Sequence, residues 1–308
     1  MLPGMSNGLL SCLVVGCGYV GARFARQAAG RRPVLGIVRT ASSASELEAA
    51  GINTMRLDLD DAHPVLQPSL ATAAQAAAVV YLVPPPDHGR SDPRLERFLV
   101  QLGDAAPAVL VYVSTTGVYG DTGGALVDEH SPLAPGNDRA RRRVAAESAA
   151  QAWCAARGVR CVILRVPGIY GPHRLPLERL GRGEPVLRPE DAGPGNRIHV
   201  DDLAVTIAAA VDQPAAQGAY NVTDGDTAST TAFLQETAAA AGLPPPRLVP
   251  KSEAARHIPP GMLAFLLESR RVDNRRLIDE LGVRLRYPRA QPGILASLAE
   301  MRMEETRP

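Results

Sequence analysis

Three glycines, Gly16, Gly18 and Gly21, stand at the spacing Gly-x-Gly-x-x-Gly in this 308-residue chain. The apolar run Cys12-Leu13-Val14-Val15 leads straight into them, and the helix-forming Ala22-Arg23-Phe24-Ala25-Arg26-Gln27 follows. These residue types suit the binding of an anion. Gly16 permits a tight strand-to-helix turn, Gly18 lets the backbone approach a pyrophosphate, and Gly21 lets the helix pack closely on its strand. Free N–H groups at the helix start, with Cys17, Tyr19 and Val20 between the glycines, face the negative charge. A glycine turn alone is common, but the strand before it and the helix after it mark this one as a dinucleotide site.

The end of the second apolar run bears on which dinucleotide. A site that selects NAD places an acid about twenty residues past the glycine turn, where it bonds the ribose hydroxyls. This chain has Val38-Arg39-Thr40 there, with no acid before Glu46. Arg39 can form a charge-assisted pair with a ribose phosphate, helped by Thr40, Ser42 or Ser43. The alternative is a solvated surface arginine. The expectation is NADP(H) in preference to NAD(H), with NAD(H) still accepted.

Alternating elements must position these residues. After the first strand and helix, strands are predicted at Val34–Val38, Asn53–Leu57, Ala78–Val83, Ala108–Val113 and Arg160–Val166. Helices are predicted near Ser45–Ala50, Asp92–Asp104 and Arg139–Arg157. Short β-branched strands separated by helices predict an α/β fold, a Rossmann-type, doubly wound and mostly parallel sheet covered on both faces. Past Pro167 the pattern changes, as proline and glycine crowd Pro172–Gly195 and Leu243–Gly261. We therefore expect an NAD(P)-binding domain over 9–166 and a smaller, interleaved substrate lobe over 167–308, with 196–222 returning to the first domain. Asp201-Asp202 precede the helical run Leu203–Val211, as an N-cap and a first-turn carboxylate would.

Composition excludes several functions. A net charge of +1 with interspersed signs gives no field for nucleic acid or an anionic membrane. The four cysteines make no C-x-x-C pair and no metal spacing, so buried thiols in a reducing compartment and no bound metal are expected. No apolar run reaches membrane-spanning length, and Met1 to Gly8 lacks the charged start and apolar core of a secretion signal. A cytoplasmic protein is expected.

Four further stretches, in order along the chain, resemble one family. They are Val113-Ser114-Thr115-Thr116-Gly117-Val118-Tyr119-Gly120-Asp121, Leu164-Arg165-Val166-Pro167-Gly168-Ile169-Tyr170-Gly171-Pro172, Arg197-Ile198-His199-Val200-Asp201-Asp202-Leu203-Ala204 and Tyr220-Asn221-Val222-Thr223-Asp224. With the glycine turn they resemble the extended short-chain dehydrogenase/reductases, the NAD-dependent epimerase/dehydratase family. The resemblance implies a Rossmann domain of about seven strands and a small-molecule substrate, typically a nucleotide sugar. It also implies that Asp58-Leu59 contact the adenine and that Val83, Pro84, Ser114, Val166, Pro167, Gly168 and Ile169 complete the dinucleotide site. Thr116, Tyr170, Arg197 and His199 would then meet the substrate.

Departures from the family pattern fall at the glycine turn and at the catalytic dyad. The family's first glycine corresponds to Val15 here, and the glycine has moved to Gly16. The catalytic Tyr-x-x-x-Lys occurs nowhere: counting back from Glu147 puts Arg143 in the lysine's place and Arg139 in the tyrosine's. Every basic residue except Lys251 is arginine. The chain in this respect is similar to an atypical, YeeZ-like bacterial subgroup. Arg143 can still hold a ribose, whereas the guanidinium of Arg139 stays protonated and cannot shuttle a proton. Thr115, four before Tyr119, matches the family's catalytic Ser/Thr and can orient a carbonyl. Tyr119, Tyr170, His173 and His199 are the remaining titratable candidates, and Thr115, Tyr119 and Arg143 form the expected catalytic set.

Two function classes follow. One is an NADP-dependent oxidoreductase or epimerase acting on a sugar nucleotide or related small molecule. The other is a non-catalytic, NADP(H)-binding redox sensor or regulator. The resemblance further implies a homodimer, formed by the helices near 92–104 and 139–157. Leu95, Phe98, Leu99 and Leu102 would supply the first helix's stripe, and small residues such as Ser148 and Ala152 the second's, the alternative being that these stripes only cover the chain's own sheet.

Overall fold

The computed structural model describes residues 9–61 and 67–306. Met1 to Gly8, on which the reading of a missing secretion signal rests, lie outside the described residues.

The first half alternates strand and helix: β1 (Cys12–Val15), α1 (Tyr19–Ala28), β2 (Val34–Val38), α2 (Ala41–Ala49), β3 (Asn53–Arg56), α3 (Pro68–Ala74), β4 (Ala78–Tyr81), α4 (Pro93–Gln101) and β5 (Val109–Thr115). Then come β6 (Leu126–Val127), α5 (Asp138–Ala155), β7 (Arg160–Val166), β8 (Gly168–Tyr170), α6 (Leu177–Gly181), β9 (Val186–Leu187), β10 (Arg197–His199), α7 (Val200–Asp212) and β11 (Gly218–Asn221). The chain closes with α8 (Thr230–Ala241), β12 (Leu248–Val249), α9 (Ala254–His257), α10 (Pro260–Leu267), β13 (Arg271–Val272), α11 (Arg275–Asp279) and α12 (Ala290–Glu305).

Seven strands form one sheet in the order β11-β7-β5-β4-β1-β2-β3, and every pairing is parallel. This is the doubly wound α/β arrangement read from the sequence. Because β1 lies between β2 and β4, the chain reverses direction across the sheet there, and the crevice at the strands' carboxyl ends opens beside Gly16. The apolar strands are buried on both faces. On one, Cys12 and Val14 meet Phe24 of α1 and Leu203 and Ile207 of α7. On the other, Leu13 and Val15 meet Leu95 and Phe98 of α4 and Ala146 and Ala150 of α5. The remaining strands make three parallel two-stranded ribbons, β8 with β10, β9 with β12 and β6 with β13. All four cysteines are free and buried.

Three local expectations need correction. Helix α2 starts at Ala41 rather than near Ser45, because Thr40 caps it by accepting the Ser43 N–H. The cap of α7 is His199, whose Nδ1 accepts the Asp201 N–H. Asp201 and Asp202 both fall in the first turn, where Asp201 pairs with Arg23 and Asp202 accepts the N–H groups of Arg286 and Tyr287. The apolar stripe of α4 offers no dimer face: Leu95, Phe98, Leu99 and Leu102 are all buried in the chain's own core.

Candidate functional site

The glycine turn is built as its residue types require. Gly16 has a φ of +80°, and a Cβ there would lie 2.8 Å from Val83 Cγ2. A Cβ on Gly21 would come within 3.0 Å of Leu82 Cδ1, so this glycine fixes how closely α1 lies on the sheet. The space over Gly18 is open, with nothing within 4 Å of an added Cβ. Helix α1 begins with no side-chain cap and no acid in its first turn. An open backbone cradle at an uncapped helix start fits a dinucleotide's pyrophosphate. Cys17 is buried beneath the turn, and the Tyr19 hydroxyl donates to the Pro172 carbonyl at 2.8 Å.

From Gly16 a cleft of about 360 Å³ runs over the ends of β1 to β4, lined in part by Val38, Arg39, Asp58, Leu59, Val83 and Pro84. Its far end is charged. Asp60 accepts two bonds from Arg94, Nε to Oδ1 at 2.6 Å and Nη2 to Oδ2 at 2.8 Å, and a longer one from Arg39 Nη1 at 3.2 Å. These hydrogen bonds, chiefly from Arg94, hold the Asp60 carboxyl below its ordinary range. Two guanidinium groups thus share one carboxylate. Thr40 Oγ1 lies 3.1 and 2.9 Å from the hydroxyls of Ser42 and Ser43 at the adjoining start of α2.

A second cleft, of about 320 Å³, opens over the ends of β5 and β7. Thr115, Thr116, Pro167 and Gly168 form its floor, and Asn137, Arg139 and Ala140 at the start of α5 form one wall. The segment 192–196 with Leu266, Glu268 and Arg270 forms the other. Thr115 Oγ1 accepts the Gly117 N–H at 3.2 Å. Glu268 Oε2 pairs with Arg270 Nη1 and Nη2 at 3.0 and 2.9 Å. Arg139 is exposed in the cleft and, among the described residues, has no hydrogen-bond or ion-pair partner.

Several expected site residues are turned away from both clefts. Tyr119 is buried, accepts from Arg165 Nη1 at 2.9 Å and donates to Asn221 Oδ1 at 2.7 Å. Burial raises its pKa, and its one proton is already committed to a buried acceptor, so it is no proton shuttle for the cleft. The buried Ser114 hydroxyl donates to Glu147, whose other oxygen pairs with Arg165 at 2.8 Å, so this hydroxyl too serves the interior. Tyr170 is buried edge-on against His199 and Phe233. His199, 1% exposed, stands 3.1 Å from the Ser297 hydroxyl, and burial brings its pKa down to about 4. Arg197 is buried over the Phe233 ring and donates to the Ala228 and Ser229 carbonyls. His173 pairs with Glu304 on the outer surface, at 2.6 Å.

Arg143 lies between these cases. Half-buried, it donates through Nη1 to the Val113 carbonyl at 2.8 Å and to the Tyr112 hydroxyl at 3.0 Å, against β5 rather than out in solvent. Val166 is buried in the core, and Ile169 packs half-buried against it. No motif or spacing in the sequence marks Arg94, Asp60, Glu268 or Arg270. Arg94 and Asp60 lie 34 positions apart and only the fold brings them together, whereas Glu268 and Arg270 are two apart and only the fold brings them to the cleft. Among the described residues no three His, Cys, Asp or Glu side chains are grouped to hold a metal ion, and no helix is long and apolar enough to cross a membrane.

Residues 12–223 match the model of the NAD dependent epimerase/dehydratase family. The chain is 30% identical over 303 residues to a 3-diazoavenalumate denitrifying reductase from Streptomyces sp, covering 91% of this chain and 96% of that protein. A conserved protein of unknown function from Silicibacter pomeroyi DSS is 31% identical, with a TM-score of 0.79 over 94% of this chain and 99% of its own. MoeE5, solved in complex with UDP-glucose and NAD, shares the fold at 22% identity and a TM-score of 0.74, over 96% and 100% of the two chains.

Proposed function

We propose that this chain, which belongs to the NAD dependent epimerase/dehydratase family, is an NADP(H)-dependent oxidoreductase that reduces a small molecule. The observation that carries the cofactor half is the sharing of Asp60 by Arg39 and Arg94 at the end of the first cleft. A 2′-phosphate brought there meets two guanidinium groups against one carboxylate, a net positive charge, beside the serine and threonine hydroxyls that open α2. NAD(H) has no phosphate to place at that point and is the weaker ligand. In this reading residues 9–166 with 196–222 form the cofactor-binding unit, and the rest of 167–308 forms the substrate lobe.

Bound over the glycine turn, the dinucleotide supplies the hydride. The chain's own residues decide what else can happen in the second cleft. Epimerisation through a keto sugar begins by taking a proton from a hydroxyl, and Arg139, in the place of the usual tyrosine, cannot take it. Reduction needs no base. Thr115 orients the acceptor, Arg143 sets positive charge beside the end of β5, and the proton the product needs comes from solvent, because Glu268, the carboxylate among the described lining residues, is paired with Arg270. The Streptomyces relative is a reductase by name, which supports reduction over epimerisation. The exposed small-residue face of α5, at Ser148 and Ala152, is the surface offered to a second copy of the chain.

The second reading, a non-catalytic NADP(H) sensor, is favoured by the missing tyrosine and lysine. Steady-state consumption of NADPH separates the two, measured against nucleotide sugars, carbonyl compounds and diazo compounds. Mass spectrometry of ligands retained by the purified protein narrows the panel. Turnover of any of these with NADPH supports the reductase. Tight NADPH binding without turnover supports the sensor, and interconversion of nucleotide sugars without net NADPH consumption contradicts both.

A further inference from the structure

The second cleft carries an uncompensated positive charge. Three charged side chains line it: Arg139, Glu268 and Arg270. Glu268 is spent on Arg270, through two bonds at 3.0 and 2.9 Å. Arg270 also donates to the Gly120 carbonyl at 2.6 Å, and although it is only 9% exposed its Nε has no partner among the described residues. Asp138, the nearest acid in sequence to Arg139, faces outward and pairs with Arg141 at 2.7 Å. Arg139 is therefore a free guanidinium at the mouth of a cleft whose other cation is already neutralised. Around it stand apolar groups, Ala140, Pro167, Pro194 and Leu266, and neutral hydrogen-bonding ones, Thr115, Thr116 and Asn196.

We infer that this cleft takes a small organic carboxylate, and that Arg139 is the residue that selects it. The inference rests on the reading of this cleft as the substrate pocket and names the substrate class. A guanidinium and a carboxylate are both planar and meet through two parallel hydrogen bonds. A single negative charge balances Arg139, whereas a phosphate dianion or a nucleotide diphosphate brings at least one charge that no free cation of the cleft meets. The apolar walls suit the carbon frame of an aromatic or unsaturated acid. The same residue accounts for the missing proton shuttle: the first turn of α5 has given its place in the cleft to a substrate anchor.

The test is calorimetry on the full chain saturated with NADP+, titrated with benzoate, phenylacetate and cinnamate, with their neutral carboxamides, and with inorganic phosphate. At least one carboxylate is expected to bind saturably and to lose tenfold or more in affinity in Arg139→Gln, with part of the loss restored in Arg139→Lys. Carboxamides should bind more weakly than their acids and equally to wild type and Arg139→Gln. NADP+ affinity should be the same in all three proteins. Carboxylate affinity unchanged by Arg139→Gln, carboxamides as tight as the acids, or phosphate as the strongest Arg139-dependent ligand would each overturn the inference. So would the failure of all three carboxylates on a protein that binds NADP+. A wild-type chain that does not bind NADP+ at all contradicts the cofactor reading instead, so the two failures are distinguishable.

Discussion

Arg94 grips Asp60 through both carboxylate oxygens, whereas Arg39 reaches the same carboxylate by a single 3.2 Å bond and keeps 62% of its side chain exposed. In the proposed function Arg39 is the guanidinium that turns toward a 2′-phosphate, and Arg94 is the one that masks the acid. Arg39→Ala should cost NADPH binding about 1.5–3 kcal/mol, the range for hydrogen bonds to charged groups, and change NADH binding little. Arg94→Ala should also weaken NADPH, by unmasking a carboxylate beside the phosphate, and Asp60→Asn should strengthen it. Calorimetry with both dinucleotides on the three variants reads all of this.

Arg143→Ala should weaken binding of either dinucleotide, because it removes the positive charge held against the Val113 carbonyl, while Arg139→Ala should leave it nearly unchanged. Equal losses from the two substitutions would contradict the separation of cofactor and substrate roles.

Glu147 joins the Ser114 hydroxyl to the buried Arg165 beneath the floor of the second cleft. Glu147→Ala strands an unpaired guanidinium in the interior and should destabilise the fold by about 3–5 kcal/mol, read by urea unfolding at pH 7. A loss below about 1 kcal/mol, the level of an exposed pair, would mean that water reaches Arg165.

The ring of His199 is neutral in the fold because burial brings its pKa to about 4, below the ordinary 6.5. A depressed folded value means that the unfolded chain binds the proton first. The stability His199 contributes is therefore complete above about pH 6.5 and is lost as pH falls toward 4. His199→Gln should flatten that part of the profile in urea unfolding from pH 7.5 to 4.5.

Asp224 has the opposite sign. Burial raises its carboxyl from 3.8 to about 7, and among the described residues its Oδ2 has no partner. Its ionised form is penalised above pH 7, and the penalty fades as pH falls toward 3.8. Asp224→Asn should stabilise the protein at pH 8, by less at pH 5, and have little effect near pH 4. No gain at pH 8 would mean that the carboxylate is solvated in solution.

The sequence made the sheet and the cofactor turn legible because both are local. The strands announce themselves as β-branched runs, and the glycine spacing is contiguous with the strand and helix it joins. Tyr119, Tyr170 and His199 belong to stretches that resemble family motifs, but motif membership does not separate scaffold from site. Tyr119 and His199 are polar residues whose partners, Asn221 and Ser297, lie about a hundred positions away, and Tyr170 is buried edge-on against His199 and Phe233. The charged residues of the clefts were hidden for a related reason. Arg94 meets Asp60 across 34 residues and two elements, and Glu268 and Arg270 enter the second cleft from a stretch with no strand or helix pattern.

The proposed function makes the first cleft a site for a phosphorylated dinucleotide. The direct measurement is the wild-type affinity for NADPH beside that for NADH, by calorimetry at physiological ionic strength. A tenfold or greater preference for NADPH, abolished by Arg39→Ala, is the expected result. Equal affinities, or a preference for NADH that Arg39→Ala leaves in place, would contradict it.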